Sequence, residues 1–282
     1  MVPGDGLTYA LRDVTATVQS IPLIAASVMS KKVASGTHGV VLDVKHGDGA
    51  LIPDPALARQ LARLMVDIGA EFGLPCRVVL SDMSQPLGRA VGNALEVKEA
   101  LAALGGQDVP GLTGLCEVIA ALMLRIGEPG TDHDTAVRRV RQAIGSGAAR
   151  AQFLRWVVAQ GGAAEQVEQP ELLPAAAHRD VVRAAHQGFV TQVRARLVGE
   201  AASSVGAGRL RHGDPIDPGA GVVLLCRVGD RVRTGEPLAE LHWTDGAPAA
   251  AREQLAAAFR IGATPPVPAP GFEVLADPGG PR

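Results

Sequence analysis

The order of apolar and polar positions divides the chain into a first part that alternates helices with buried strands and a last part of short strands. From Ser20 the run SIPLIAASVMSKKVASG has a helix-start residue, a proline two positions later, a helical apolar period and a stop at Gly36. It predicts a helix. HGVVLDVK follows as a short, almost wholly apolar, β-branched run, the pattern of a strand buried on both faces of a parallel sheet. After the Gly-rich turn GDGA, residues 55–72 read as an amphipathic helix with Leu57, Leu61, Leu64, Met65 and Ile68 on one side. CRVVLSDM is then a second buried strand, and strand, helix, strand in this order predicts a right-handed crossover unit. Further helices are predicted at about 91–104, 112–126, 135–144 and 148–159, the last ended by Gly161 and Gly162.

After Pro170 the texture changes. GFVTQVRARLVG, GVVLLCRVGDRV and EPLAELHW read as strands divided by Gly and Pro; residues 248–259 return to a helix, and PPVPAPGFEVL reads as extended chain lying along the surface. The expected fold class is α/β: a parallel sheet flanked by helices, with part of a small helical lobe over 1–34, a central α/β domain over 35–169 and a C-terminal strand-rich α+β domain over 170–282.

Composition sharpens this picture. The chain has 282 residues, 47% of them hydrophobic, but only five Phe, two Trp and one Tyr, so its cores must be built from small aliphatics. The formal charge is −2, from 27 basic and 29 acidic residues that are interspersed. No basic or acidic face therefore points to nucleic acid or to a membrane, and an anionic ligand has to be held locally. No apolar run reaches the roughly 18 residues of a membrane span, and no charged-then-apolar signal pattern is seen, so the cytoplasm is the expected compartment. Cys76, Cys116 and Cys226 are far apart and flanked by apolar residues, which predicts buried thiols in a reducing compartment rather than disulfides or a metal site.

The first residues that stand out chemically are Tyr9, Arg12, Asp13, Ser27 and Lys31. Ser27 and Lys31 are four apart in the strongest helix, so they stack on one face, where a hydroxyl and an ammonium together can hydrogen-bond an oxo group and a ring N–H. Two plainer readings stay open at this point: Lys31, beside Lys32, as a solvated basic helix end favoured by the macrodipole, and Arg12–Asp13 as a structural ion pair. His46 and Asp48 lie in the turn after the first strand, at the carboxyl end where open α/β sheets place ligands. His133, His178, His186 and His212 sit in polar contexts and read as surface residues.

The string YALRDVTATVQSIPLIAASVMSKKVASGTHGVVLDVKHGDGA, with SDMSQPLGRAVGNALEVKEAL and IDPGAGVVLLCRVGDRVRTGEPLAELH further on, resembles the pyrimidine-nucleoside (thymidine) phosphorylase family over almost the whole chain. The resemblance implies reversible phosphorolysis: pyrimidine nucleoside and phosphate to free base and pentose 1-phosphate, by a pentosyltransferase of nucleoside salvage that is cytoplasmic and homodimeric. Carried over residue by residue, it implies that Arg12, Ser27 and Lys31 contact the pyrimidine, with Arg12 and Lys31 as the catalytic cations and Tyr9 beside them. Val18 and Ile24 match apolar residues lining the base, and Leu51 stands where relatives place a phenylalanine, so the apolar wall is kept and the stacking is lost. The resemblance also implies a monovalent cation, potassium, held by the backbone oxygens of Leu87 and Ala90 and the carboxylate of Glu99, with no organic cofactor. Without it Glu99 reads as a surface helix residue.

Two features set the chain apart. VGDRVRTGEPLAELH resembles lipoyl- and biotinyl-type hairpins, but no lysine occurs after Lys98 to carry a group, which leaves a packing domain. The family's phosphate loop, a Lys-His-Ser-Thr-Gly-Gly run, has no match here, nor do the main dimer helices, so the expectation is of a chain lacking the family's N-terminal third. Two readings follow: an active phosphorylase whose remaining part is supplied separately, or a non-catalytic remnant that binds only base or protein. Preference between thymidine and uridine stays open.

Overall fold

The computed structural model describes residues 3–209, 211, 213–246, 248–267 and 271–275. In chain order the elements are α1 (Pro3–Val14), α2 (Ile21–Ala34), β1 (Val40–His46), α3 (Pro55–Glu71), β2 (Cys76–Asp82), β3 (Ala90–Val91), α4 (Asn93–Leu104), α5 (Leu112–Gly127), α6 (His133–Gly145), α7 (Ala148–Ala159) and α8 (Ala164–Glu168). They continue with β4 (His178–Arg183), β5 (Gly188–Val193), α9 (Ala195–Ala202), β6 (Gly221–Leu224), β7 (Arg231–Val232), β8 (Pro237–Trp243), α10 (Ala249–Ala257), β9 (Phe259–Gly262) and β10 (Phe272–Leu275). The described residues form two compact units. One comprises Met1–Asp82, Leu115–Arg138 and Pro270–Arg282, the other Met83–Gly114 and Arg139–Ala269.

In the first unit β1 and β2 pair in parallel, Val40 opposite Cys76 through His46 opposite Asp82, as the two apolar runs predict. Their connection, α3, starts on Asp54, whose carboxylate accepts from the N–H groups of Ala56 (2.7 Å) and Leu57 (3.2 Å), with Pro55 in the first turn. The face that α3 buries is Ala58, Leu61, Ala62, Met65 and Gly69, while Leu57 is exposed. The stripe is thus displaced by one residue from the leucine-based expectation. Small residues decide it, because they let the helix lie close on the sheet: a Cβ at Gly69 would meet Cys76 Sγ at 2.3 Å and the Leu74 carbonyl at 2.8 Å. Ala25 and Met29 of α2 join the same core, with Leu42, Val44, Val78 and Leu80 from the strands.

Three expectations for this unit are corrected. β1 is not buried on both faces: Leu42 and Val44 face the core, whereas Asp43 and Lys45 alternate onto the other face and are partly exposed. The C-terminal extended segment does not merely lie on the surface, because β10 pairs antiparallel with β2, Phe272 opposite Ser81 through Leu275 opposite Val78. An uncovered edge of β2 would leave a row of backbone donors and acceptors unpaired, and β10 takes that place. Arg59 of α3 grips Glu273 of β10 with a two-bond fork at 2.8 and 2.6 Å. Of the three thiols Cys76 and Cys226 are buried, but Cys116, beside the buried Leu115 on α5, is exposed.

The second unit contains two antiparallel sheets, β3-β6-β8-β4 and β7-β5-β9, around a core of Val182, Val190, Val198, Val222, Leu224, Leu241 and Leu255. RARLVG is not the continuation of a strand, contrary to expectation. After Val193 the apolar period changes to that of a helix, and α9 buries Ala195, Val198, Ala201 and Ala202. Among the described residues no helix is long and apolar enough to cross a membrane.

One buried polar group escaped the sequence reading. His242 on β8 is 4% exposed, and its Nε2 lies 3.1 Å from Glu240 Oε2 on the same strand. Arg179 stands opposite it on β4, and the charge of Lys98 on α4 also reaches it. Burial holds the imidazole below its ordinary value of 6.5, more than the carboxylate of Glu240 raises it. Between that lowered value and about 6.5 the unfolded chain binds a proton that the folded chain refuses. Stability is therefore fully present above about pH 6.5 and declines as the pH falls below it. Urea midpoints taken from pH 7.5 down to 5.5 should fall, and His242→Gln should flatten that slope.

Candidate functional site

The chain between α1 and α2 carries the first group of candidates. Arg12 lies in the last turn of α1 and is 5% exposed, and its Nη2 donates to the carbonyls of Val18 at 2.7 Å and Thr17 at 3.5 Å. A cation so placed holds the connection in shape, and Val18 with it. Ser20 occupies the N-cap of α2 in extended conformation, although its side chain makes no cap bond. One helical face of α2 then presents Ser27 and Lys31, with Lys31 Nζ 3.4 Å from Ser27 Oγ, the i, i+4 geometry expected from the sequence. Ile24, a turn before Ser27, is half-buried against the core, Val18 in the connection is half-buried, and Leu51 is 51% exposed after the turn that follows β1. The side chains of Tyr9 and Asp13, and His212, lie outside the described residues.

A second group lies at the carboxyl ends of β1 and β2. Asp43 and Lys45 share the face that does not meet the aliphatic core, and Ser81, wholly buried, stands opposite Lys45 in the parallel register. Lys45 Nζ donates to Asp43 Oδ2 and, at 2.9 Å, to Ser81 Oγ, which in turn donates to Asp43 Oδ1. Each member satisfies the other two, so a charged pair persists beside a buried strand. The sequence signal was there in Asp43-Val44-Lys45, a period of two within an apolar run, but only the sheet register brings Ser81 to it. His46 Nδ1 lies 3.9 Å from Asp82 Oδ1.

In the second unit, Glu99 of α4 turns onto the backbone between β2 and α4. Its Oε1 accepts from the N–H groups of Arg89 (2.7 Å) and Ala90 (3.2 Å), so the residue is not simply a surface glutamate. A Cβ at Gly88 would come within 2.0 Å of Oε2, and one at Gly111 within 2.6 Å of the Leu87 carbonyl oxygen. The two glycines leave room beside a carboxylate oxygen and a carbonyl oxygen, donor chemistry that suits a hard cation, and Arg227 Nη2 lies 3.0 Å from the same Gly111 position. Among the described residues no group of three or more His, Cys, Asp or Glu side chains is gathered for a metal. A surface depression lined by Gln187, Phe189, Arg231, Thr234 and Glu236 contains none of the candidates.

The pattern described as "Glycosyl transferase family, a/b domain" matches residues 2–150, more than half of the chain, and "Pyrimidine nucleoside phosphorylase C-terminal domain" matches residues 189–262. The chain belongs to the pyrimidine nucleoside phosphorylase family. It is 43% identical over 265 residues to a pyrimidine-nucleoside phosphorylase of Geobacillus stearothermophilus, covering 94% of this chain and 61% of that protein. Proteins of the same name from Staphylococcus epidermidis and Staphylococcus haemolyticus are each 43% identical over 242 residues, covering 86% of this chain and 56% of theirs. The chain thus spans roughly three-fifths of the length of these relatives, 61% and 56% of them. Gly229 takes a left-handed turn at φ 101°, and Val222, Leu224, Val232, Leu238 and Leu241 on the strands around it belong to the core.

The Asp43–Lys45–Ser81 triad yields a direct test of its mutual dependence. Asp43→Ala should destabilise the chain by about 1–3 kcal/mol in urea unfolding, because a partly buried ammonium loses its counter-charge. Adding Lys45→Met to that variant should recover part of the loss.

Proposed function

We propose that this chain acts in the phosphorolysis of pyrimidine nucleosides. What supports the reading above all is its 43% identity, across 94% of its length, to a protein named pyrimidine-nucleoside phosphorylase. In the reaction, phosphate oxygen forms a bond to the anomeric carbon of the sugar as the bond from that carbon to the ring nitrogen breaks. The electron pair leaves with the base and spreads onto its carbonyl oxygens. Fixed cations and donors facing those oxygens favour the transition state over the ground state. Lys31 and Arg12 supply the charge in this reading, Ser27 a hydroxyl for a ring nitrogen, and Tyr9, Val18, Ile24 and Leu51 the wall. The Ser27–Lys31 pair at 3.4 Å suits adjacent polar atoms of a planar ring. Arg12, held by the Val18 carbonyl, would also set the connection against which the base lies.

A potassium ion held by the carbonyls of Leu87 and Ala90 and the carboxylate of Glu99 belongs to the same reading. Bound there it supplies a fixed positive charge that ties the segment before α4 to that helix. The enzyme is further read as a homodimer of nucleoside salvage in the cytoplasm.

Phosphate must be positioned for attack, and positioning alone is worth roughly 7–11 kcal/mol of a barrier. No Lys-His-Ser-Thr-Gly-Gly run occurs in these 282 residues. The purified chain is therefore expected to release no free thymine from thymidine in phosphate buffer, and to do so when joined to the preceding segment of the Geobacillus relative. In that joined enzyme Lys31→Ala and Arg12→Ala should lower kcat more than they raise KM. Ser27→Ala should cost about 0.5–1.5 kcal/mol, one neutral hydrogen bond. Robust release by the chain alone would overturn the dependence on that segment, and inactivity of the joined enzyme would favour a chain that only binds.

A further inference from the structure

Residues 85–90 are gripped at several backbone groups and at the side chains of Gln85 and Arg89. Arg227, beyond β6, donates Nη1 to the Gly88 carbonyl at 2.7 Å and Nη2 to the Pro86 carbonyl at 3.1 Å. Val228 N–H donates to the side-chain oxygen of Gln85 at 3.1 Å. The Arg89 carbonyl accepts from Leu224 N–H at 2.8 Å, and its guanidinium donates to the Leu225 carbonyl at 3.1 Å. From the other side Glu99 takes the N–H groups of Arg89 and Ala90. Arg227 is itself fixed by Asp230, whose Oδ2 accepts from the Arg227 N–H at 2.8 Å.

A guanidinium is a planar fork, and two bonds from it to the carbonyls of residues i and i+2 fix the peptide units between them. The residue between Pro86 and Gly88 is Leu87, whose carbonyl is one of the oxygens assigned to the cation. The arrangement is costly. Burial, and then the like charge of Arg89, hold the Arg227 guanidinium below its ordinary value, against the pull of Glu99 and Asp230. A half-buried cation spent on backbone carbonyls is weak ground for stability and better ground for placement.

We propose that Arg227 is the positioning residue of the monovalent-cation site: by taking the carbonyls of Pro86 and Gly88 it sets the Leu87 carbonyl where the ion needs it. The inference rests on the cation reading above. Its positive charge opposes a bound cation while its fork prepares the site, and two variants separate these effects. Arg227→Lys keeps the charge and loses the fork; Arg227→Gln loses the charge and one arm of the fork.

The test is the thermal midpoint of the whole chain titrated with potassium chloride, against choline chloride at equal ionic strength, with far-UV circular dichroism to establish folding. The parent chain should be stabilised by potassium over choline. Both variants should need about tenfold more potassium for half of that shift, the low end of what loss of a group supporting metal ligands costs. Gly88→Ala, which crowds Glu99 while leaving Arg227 in place, should abolish the response. Unchanged potassium dependence in the two Arg227 variants, tightening in Arg227→Gln, or failure of both to fold at any potassium concentration would overturn the role of Arg227 and leave the cation reading standing. No difference between potassium and choline in the parent chain would overturn the cation reading, and the inference with it.

Discussion

A core whose fully buried members, among the described residues, include no aromatic ring can be dense only where backbones approach closely, and the rest of this structure depends on that constraint. Val, Leu and Ala dominate both clusters of buried side chains. Such residues fill little depth, so helix and strand must meet over glycine and alanine. Gly69 of α3 sits over Cys76 of β2, where a Cβ would have 2.3 Å, and Gly39 meets Ile126 of α5 at the same 2.3 Å. In the second unit a Cβ at Gly188 of β5 would come within 2.5 Å of the Gly262 carbonyl of β9. A methyl at any of these positions pushes one layer away from the next, and with it the chemistry that the layers carry.

Close packing of short side chains also decides where charge is tolerated. Polar groups that penetrate such a core are bound into closed sets. Asp43, Lys45 and Ser81 satisfy one another at the carboxyl ends of two parallel strands, the edge at which open α/β sheets receive ligands. Glu99 is closed onto the backbone of Arg89 and Ala90, and Arg227 onto that of Pro86 and Gly88. A carboxylate that takes N–H groups and a guanidinium that takes carbonyls hold one short segment by its backbone, independently of its side chains. The Gly88 and Gly111 positions within that frame are where a side chain would collide with Glu99 Oε2 and with the Leu87 carbonyl oxygen.

Local periodicity and the motifs that carry chemistry were legible in the amino-acid order. The i, i+4 spacing of Ser27 and Lys31 places both on one helical face wherever that helix packs, because helix geometry is local. The two apolar β-branched runs pair in parallel, because a helix of suitable length joins them and each turns apolar residues onto one core. Membership of the family was readable in the same strings, since a long run of matched residues is far more specific than any pattern of polarity.

Contacts distant in sequence were decided by tertiary structure alone. Nothing in GFEVL distinguishes a surface strap from β10, which forms because β2 offers an unpaired edge. RARLVG has the composition of a strand and becomes the start of α9 because Ala195 and Val198, with Ala201 and Ala202 beyond them, fit one buried face. His242, a single histidine in an apolar run, has its pKa lowered by the sheet that buries it, and Cys116 is exposed by the side of α5 on which it falls. Arg227 reads as one more polar residue in a Gly-rich hairpin. Its role exists only because the fold carries its guanidinium to carbonyls 139 and 141 residues earlier in the chain, a distance over which sequence periodicity holds no information.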